Sequence, residues 1–308
     1  MDVQPTATPT LPSPMSPSPS PAPTRGASPL VRGTRLLFLL AVGSGILYLM
    51  ISPRVAEFFL FLPGRSDPGT APRVAEVQGE DLTLQAGDGV ALHAWWFEAG
   101  PEAPAVLFLH GNAGTIGDRR FQAEGMLREG ISVLLLSYRG YGRSQGRPSE
   151  RGVALDAEAG LRWVAERTGD SGRIVVHGRS LGGAVAGGLV AEHPEVAGLI
   201  LESTFTDLEA MAASVYPFLP RPLFRRLRGH FDTRSALDRI RSPILVIHGT
   251  RDEIVPFSMG RELRDAAPGD PRFLEVPGAR HNDLPWVAGA EYFREVASFV
   301  EAAVSGRP

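Results

Sequence analysis

Short apolar runs that recur along the chain, most of them leading into a helical stretch, constrain this sequence more than any other feature. They are AVLFLHG (105–111), SVLLLSYRGYG (132–142), RIVVHG (173–178), GLILES (198–203), PILVIHG (243–249) and RFLEVPG (272–278). Runs this short, and apolar at consecutive positions, read as strands buried on both faces. Strands alternating with helices imply a mostly parallel sheet with helices on both sides, an α/β fold. The helical stretches fall near 117–129, 150–167, up to 192, near 258–266 and near 287–304. Upstream, DLTLQAGDGVALHAWWF reads as a hairpin about Gly87-Asp88-Gly89. The intervals between strands differ, so the pattern is not a repeat array. In such a sheet, ligands bind beyond the carboxyl ends of the strands. Those ends carry His110, Ser180, Asp252 and His281.

Gly178-Arg179-Ser180-Leu181-Gly182 fits G-x-S-x-G between a strand and a helix. A serine at such a sharp turn needs small neighbours two residues to either side, because side chains there would collide. The turn presents the hydroxyl at a helix N-terminus, where the dipole favours developing negative charge. The blander reading of the same residues is a glycine-rich turn with an N-capping serine. A hydroxyl becomes a nucleophile only beside a base, and the base needs an orienting carboxylate. Four histidines follow: His193 at a helix end, His230 in an irregular segment, His248 at a strand end, and His281 on the loop VPGARHNDL after the last strand. His281 is placed to reach back over the sheet and is the expected base. Asp252, in HGTRDEIVPF, is the expected acid, with Glu202 and Asp207 as rivals; Asp283 is too near His281 in sequence. HGNAGTIG (110–117) lets the backbone approach closely, so the N–H groups of Asn112 and Leu181 are the expected oxyanion donors. The loop lacks phosphate-loop spacing, and the chain has no lysine.

His110-Gly111-Asn112, the G-x-S-x-G around Ser180, Asp252 and His281 together resemble an α/β-hydrolase over about residues 75–305. HGNAG, YRGYGRSQG and GRSLGG resemble more closely its membrane-anchored branch, which includes protein depalmitoylases and related serine hydrolases. The resemblance implies a triad of Ser180, Asp252 and His281 that cleaves carboxylic ester or thioester bonds without a cofactor. A serine peptidase on the same fold and a non-catalytic binding protein are the alternatives. The eukaryotic depalmitoylases attach to membranes through a cysteine-rich segment, and this chain has no cysteine. That absence also excludes disulfides, thiolate zinc sites and cysteine nucleophiles. A net charge of −3 gives no electrostatic footprint for nucleic acid.

The expected organisation has four parts. Residues 1–31 are a Pro/Ser/Thr-rich disordered tail. Residues 32–53 are a membrane anchor, since the 20 residues from Gly33 to Ser52 reach the roughly 30 Å of a bilayer core. Residues 54–74 are a linker in which Phe58, Phe59 and Phe61 are expected at the membrane interface. Residues 75–305 are the hydrolase domain, with a short lid at about 204–240 whose Tyr216, Phe218 and Phe224 would shape an apolar acyl pocket. Arg25, Arg32 and Arg35 before the anchor, against Arg54 and Arg65 after it, favour a cytoplasmic tail and an extracytoplasmic domain.

Overall fold

Strands β1 (Leu62–Pro63), β2 (Arg73–Val74), β3 (Val77–Gln78), β4 (Glu80–Gln85), β5 (Ala91–Phe97) and β6 (Ala105–Leu109) come first. They are followed by β7 (Ala113–Gly114), β8 (Ser132–Leu136), β9 (Ile174–Arg179), β10 (Gly198–Glu202), β11 (Ile244–Gly249) and β12 (Arg272–Val276). The computed structural model describes residues 60–306. An eight-stranded sheet runs in the order β12-β11-β10-β9-β6-β8-β5-β4, antiparallel only where β5 meets β4 and β8. The α/β class and the Gly87–Gly89 hairpin are thus as expected.

Helices α1 (Arg120–Arg128), α2 (Glu150–Thr168), α3 (Leu181–Glu192), α4 (Leu208–Val215), α5 (Thr233–Leu237), α6 (Phe257–Ala266), α7 (Leu284–Ala288) and α8 (Ala290–Ser305) complete the chain. Side chains alternate across a strand, so β6 feeds two cores. Leu107 and Leu109 pack with Val153, Ala157 and Leu161 of α2 and Ala186 and Val190 of α3. Val106 and Phe108 pack on the other face with Met126 of α1 and Val296 and Phe299 of α8. Helix α2 begins where the Ser149 hydroxyl accepts from the Gly152 N–H at 3.1 Å, and it ends at Gly169, whose φ of 72° only glycine adopts at little cost.

The domain extends further upstream than residue 75. Phe61, Ala71 and Val74 are buried in the two cores, and β1 pairs in parallel with β7. The expected linker therefore belongs to the fold from residue 60 onward. Phe61 is not interfacial; it is buried and meets Phe231 edge-on at 6.0 Å. Its neighbour Leu62 takes the exposed position. The expected tail and anchor lie outside the described residues, among which no helix is long and apolar enough to cross a membrane.

The segment expected to be an irregular lid contains α4, a 3-10 turn at Arg221–Leu227, and α5. Asp207 and Asp232 cap the two helices by accepting from Ala210 and Ser235 N–H groups at 2.8 and 2.9 Å. Its aromatic residues divide, with Phe224 buried and Tyr216 and Phe218 exposed.

Candidate active site

Ser180 follows β9 directly and precedes α3 with φ 52° and ψ −120°, a conformation unfavourable for any residue with a Cβ. The surroundings enforce it. Ser180 N–H donates to Glu202 O at 2.8 Å, and the Thr204 hydroxyl donates to Ser180 O at 2.6 Å. The flanking glycines are steric requirements. A Cβ on Gly178 would lie 2.2 Å from Gly182 O, and one on Gly182 would lie 2.0 Å from Leu109 O. The helix thus packs directly on the strand end, and the hydroxyl stands clear of it.

His281 Nε2 lies 3.1 Å from Ser180 Oγ, and its Nδ1 lies 2.8 Å from Asp252 Oδ2. With Nδ1 donating to the carboxylate, Nε2 is free to accept the hydroxyl proton. The carboxylate is itself fixed, since Oδ1 accepts from Ile254 and Val255 N–H groups at 2.9 and 2.8 Å. Burial alone would raise the Asp252 carboxyl, but hydrogen bonds from His248 and His281, the His281 charge and the Val255 N–H outweigh it. They hold the group well below the usual carboxylate range. The three residues expected from the sequence are therefore brought together. Two of the other histidines that follow Ser180 are engaged elsewhere, His193 with Glu158 and Glu195 and His230 with Glu150, whereas His248 Nε2 lies 3.3 Å from Asp252 Oδ2 and 3.1 Å from Val255 O, on the far side of the carboxylate from Ser180 in the chain of contacts. Asp283, set aside in the sequence, accepts from the Arg280 N–H at 2.6 Å and shapes the His281 loop.

The loop after β6 lies against Ser180. A Cβ on Gly111 would fall 3.3 Å from Ser180 Cβ and 3.8 Å from its Oγ. The peptide between Asn112 and Ala113 is aimed by two donors to Asn112 O, the Tyr141 hydroxyl at 2.7 Å and Leu62 N–H at 2.9 Å. Asn112 Nδ2 donates to Leu60 O at 2.9 Å. The Leu181 N–H, first of its helix, has no acceptor within the helix. His110 is buried between Tyr138 and Tyr141 with Nδ1 2.7 Å from Gly111 O. Burial first, and the Arg119 charge second, drive it down to about 3, so it is a neutral structural residue.

Sequence reasoning missed a buried cluster behind the triad. Glu202, considered as a rival acid, makes no contact with the His281 ring. It accepts from Tyr292 OH at 2.6 Å, His177 Nε2 at 2.9 Å and Arg179 Nε at 3.0 Å. Burial would raise its carboxyl, yet the His177 and Arg179 interactions and the Tyr292 hydroxyl hold it at about 2. Arg179 in turn donates through Nη2 to His281 O at 2.7 Å and Asn282 Oδ1 at 2.8 Å. The arginine inside G-x-S-x-G therefore ties the Ser180 turn to the His281 loop. The sequence signal was a charged residue on an otherwise apolar strand, facing a glutamate on the next.

Residues 104–228 match the family model for the alpha/beta hydrolase fold. The alpha/beta hydrolase domain-containing protein WAV2 of Arabidopsis thaliana is 38% identical over 282 residues, covering 84% of this chain and 91% of that one. This chain belongs to the α/β-hydrolase family. An uncharacterized protein of Mycobacterium tuberculosis is 39% identical over 245 residues, covering 78% of this chain and 86% of its own. The lysophosphatidylserine lipase ABHD12 of Danio rerio is 37% identical over 209 residues, 60% of this chain and 54% of that one. The fold matches that of the Pyrococcus furiosus esterase Pf2001 with a TM-score of 0.65 at 23% identity, covering 80% of this chain and 98% of the other.

Proposed function

We propose that the protein is a serine hydrolase of carboxylic esters or thioesters. The observation that carries this reading is His281 bridging the Ser180 hydroxyl and the Asp252 carboxylate at 3.1 and 2.8 Å. Ser180 Oγ attacks the acyl carbon while His281 Nε2 takes its proton, and Asp252 holds the resulting imidazolium. The oxyanion is met by the Asn112 and Leu181 N–H groups. Collapse expels an alcohol or thiol, which leaves with the proton from His281. Water, deprotonated by the same ring, then clears the acyl-serine. The lipase name of one relative and the esterase name of a structural neighbour support an ester as the scissile group.

Ser180→Ala tests the assignment. It should abolish fluorophosphonate labelling and hydrolysis of p-nitrophenyl acetate while melting within a degree or two of the parent, since a single small hydroxyl is removed. Undiminished turnover would refute it. The proposal includes a single membrane span at 32–53 with the catalytic domain outside the cytoplasm. External protease on sealed cells should then degrade residues 75–305; protection of that region would reverse the orientation.

A further inference from the structure

His248 closes a ring of contacts with the acid. It lies in β11, four residues before Asp252, and is fully buried. Its Nε2 stands 3.1 Å from Val255 O and 3.3 Å from Asp252 Oδ2. Val255 in turn donates its N–H to Asp252 Oδ1 at 2.8 Å. His248, Asp252 and Val255 therefore each touch the other two. Asp252 Oδ2 is also the oxygen that meets His281 Nδ1. Burial would raise the Asp252 carboxyl, and His248 heads the contacts that bring it down.

The two ring nitrogens have unlike surroundings, which fixes the proton. Nε2 faces two oxygens, whereas Nδ1 is buried and has no hydrogen-bond partner among the described residues. A proton on Nδ1 would leave a buried donor unused and set the Nε2 lone pair against two acceptors. The N–H therefore sits on Nε2, directed between Val255 O and Asp252 Oδ2. The ring is also held from behind. A Cβ on Gly260 of α6 would fall 2.3 Å from Nδ1, so that helix rests its backbone on the ring, and Phe257 meets it edge-on at 5.8 Å. A carboxylate turns softly about its last side-chain bond and needs such a post. Ile254 and Val255 hold Oδ1; without His248, the partner left to Oδ2 among the described residues is the His281 ring that it has to orient.

We infer that His248 is a positioning residue of the reaction: its Nε2–H, lying between Val255 O and Asp252 Oδ2, fixes the carboxylate that orients His281 toward Ser180. The inference rests on the hydrolase reading and adds a further member to the same machinery. His248 touches no reacting atom and acts through Asp252. The charged and polar groups on the far side of His281, Arg179 at its carbonyl and Glu253 at its N–H, belong to other elements and are unaltered by a change at His248.

Steady-state kinetics of the full chain on p-nitrophenyl acetate test this role. The amide of His248→Asn ends at the place of Nδ1, short of both oxygens. It should lower kcat about 10- to 100-fold with KM within about twofold, because a small misplacement of a catalytic group suffices for such a loss. The longer amide of His248→Gln returns an N–H near the place of Nε2 and should bring kcat back to within about threefold of the parent. A cycle separates action through Asp252 from a general loosening of the fold: in an Asp252→Asn background, His248→Asn should cost less than about twofold. Undiminished kcat in His248→Asn, or the same fall in both backgrounds, would overturn the inference. The place of the proton is read in the parent by imidazole 15N–1H correlation of histidine-labelled protein, the His248 signal being the one absent from His248→Gln. A proton found on Nδ1 would refute the assignment even if His248→Asn lacked a cooperative melt. Failure of the hydrolase reading would look different, as full turnover in Asp252→Asn itself.

Discussion

Arg179→Met isolates what the buried cluster contributes to the triad. Methionine preserves much of the aliphatic volume but removes the donors to Glu202, His281 O and Asn282. Glu202 keeps His177 and Tyr292 and loses its permanent cation; breaking a buried pair in this way costs about 3–5 kcal/mol. For a domain of this size that corresponds to a fall in Tm of roughly 10 °C at pH 7. The acid limb of stability should change as well. In the parent the Glu202 carboxyl lies at about 2 instead of the ordinary 4.5, a difference equivalent to about 3 kcal/mol. A depressed folded-state value means that the unfolded chain binds the proton first. The stabilisation is therefore full above pH 4.5 and is lost as pH falls toward 2. Without Arg179 the depression shrinks, and the dependence of Tm on pH between 2 and 5 should flatten. The His281 loop loses two hydrogen bonds, so kcat on p-nitrophenyl acetate should fall about 10- to 100-fold, with KM little changed because no residue meeting the substrate is altered. Differential scanning fluorimetry across pH and steady-state kinetics read these effects. A variant with the parent Tm at pH 7 and the parent acid limb would show that the cluster carries neither role.

Asp252→Asn should lower kcat by about 10³- to 10⁴-fold while leaving the fold intact, because an amide oxygen still accepts from Ile254 and Val255; steady-state kinetics and a melt check both halves. Gly182→Ala places a Cβ 2.0 Å from Leu109 O and should yield little folded protein, read as loss of a cooperative melt. A chain beginning at Pro72 loses buried Phe61 and the bonds from Leu62 N–H to Asn112 O and from Gly64 N–H to Gly114 O. It should melt lower and turn over p-nitrophenyl acetate at least tenfold more slowly than one beginning at Arg54, and equal rates would remove β1 from the site.

Much of the site was legible because its signals are local. G-x-S-x-G at a strand–helix junction reports a steric need satisfied within five residues, and the Gly178 and Gly182 contacts supply the reason. The order Ser180, Asp252, His281 follows from strand ends that all open on one side of the sheet. The Asp207 and Asp232 caps were equally local, yet a Pro-rich aromatic stretch obscured the short helices they begin.

By itself the sequence determined the strand–helix alternation, the placing of Ser180 at a strand–helix turn and that of His281 on the loop after the last strand, since each depends on neighbours along the chain. Tertiary structure alone showed where the rival carboxylate Glu202 goes. Glu202 closes β10 and is paired with Arg179 of β9, so it meets Arg179, His177 and Tyr292, whereas Asp252 lies beyond the end of β11 and meets His281. It alone joined residues 60–64 to the oxyanion loop, a pairing about fifty residues apart that leaves no periodic trace in either segment. Local propensity is written into adjacent side chains; a hydrogen bond between distant backbones depends on where the whole chain has brought them.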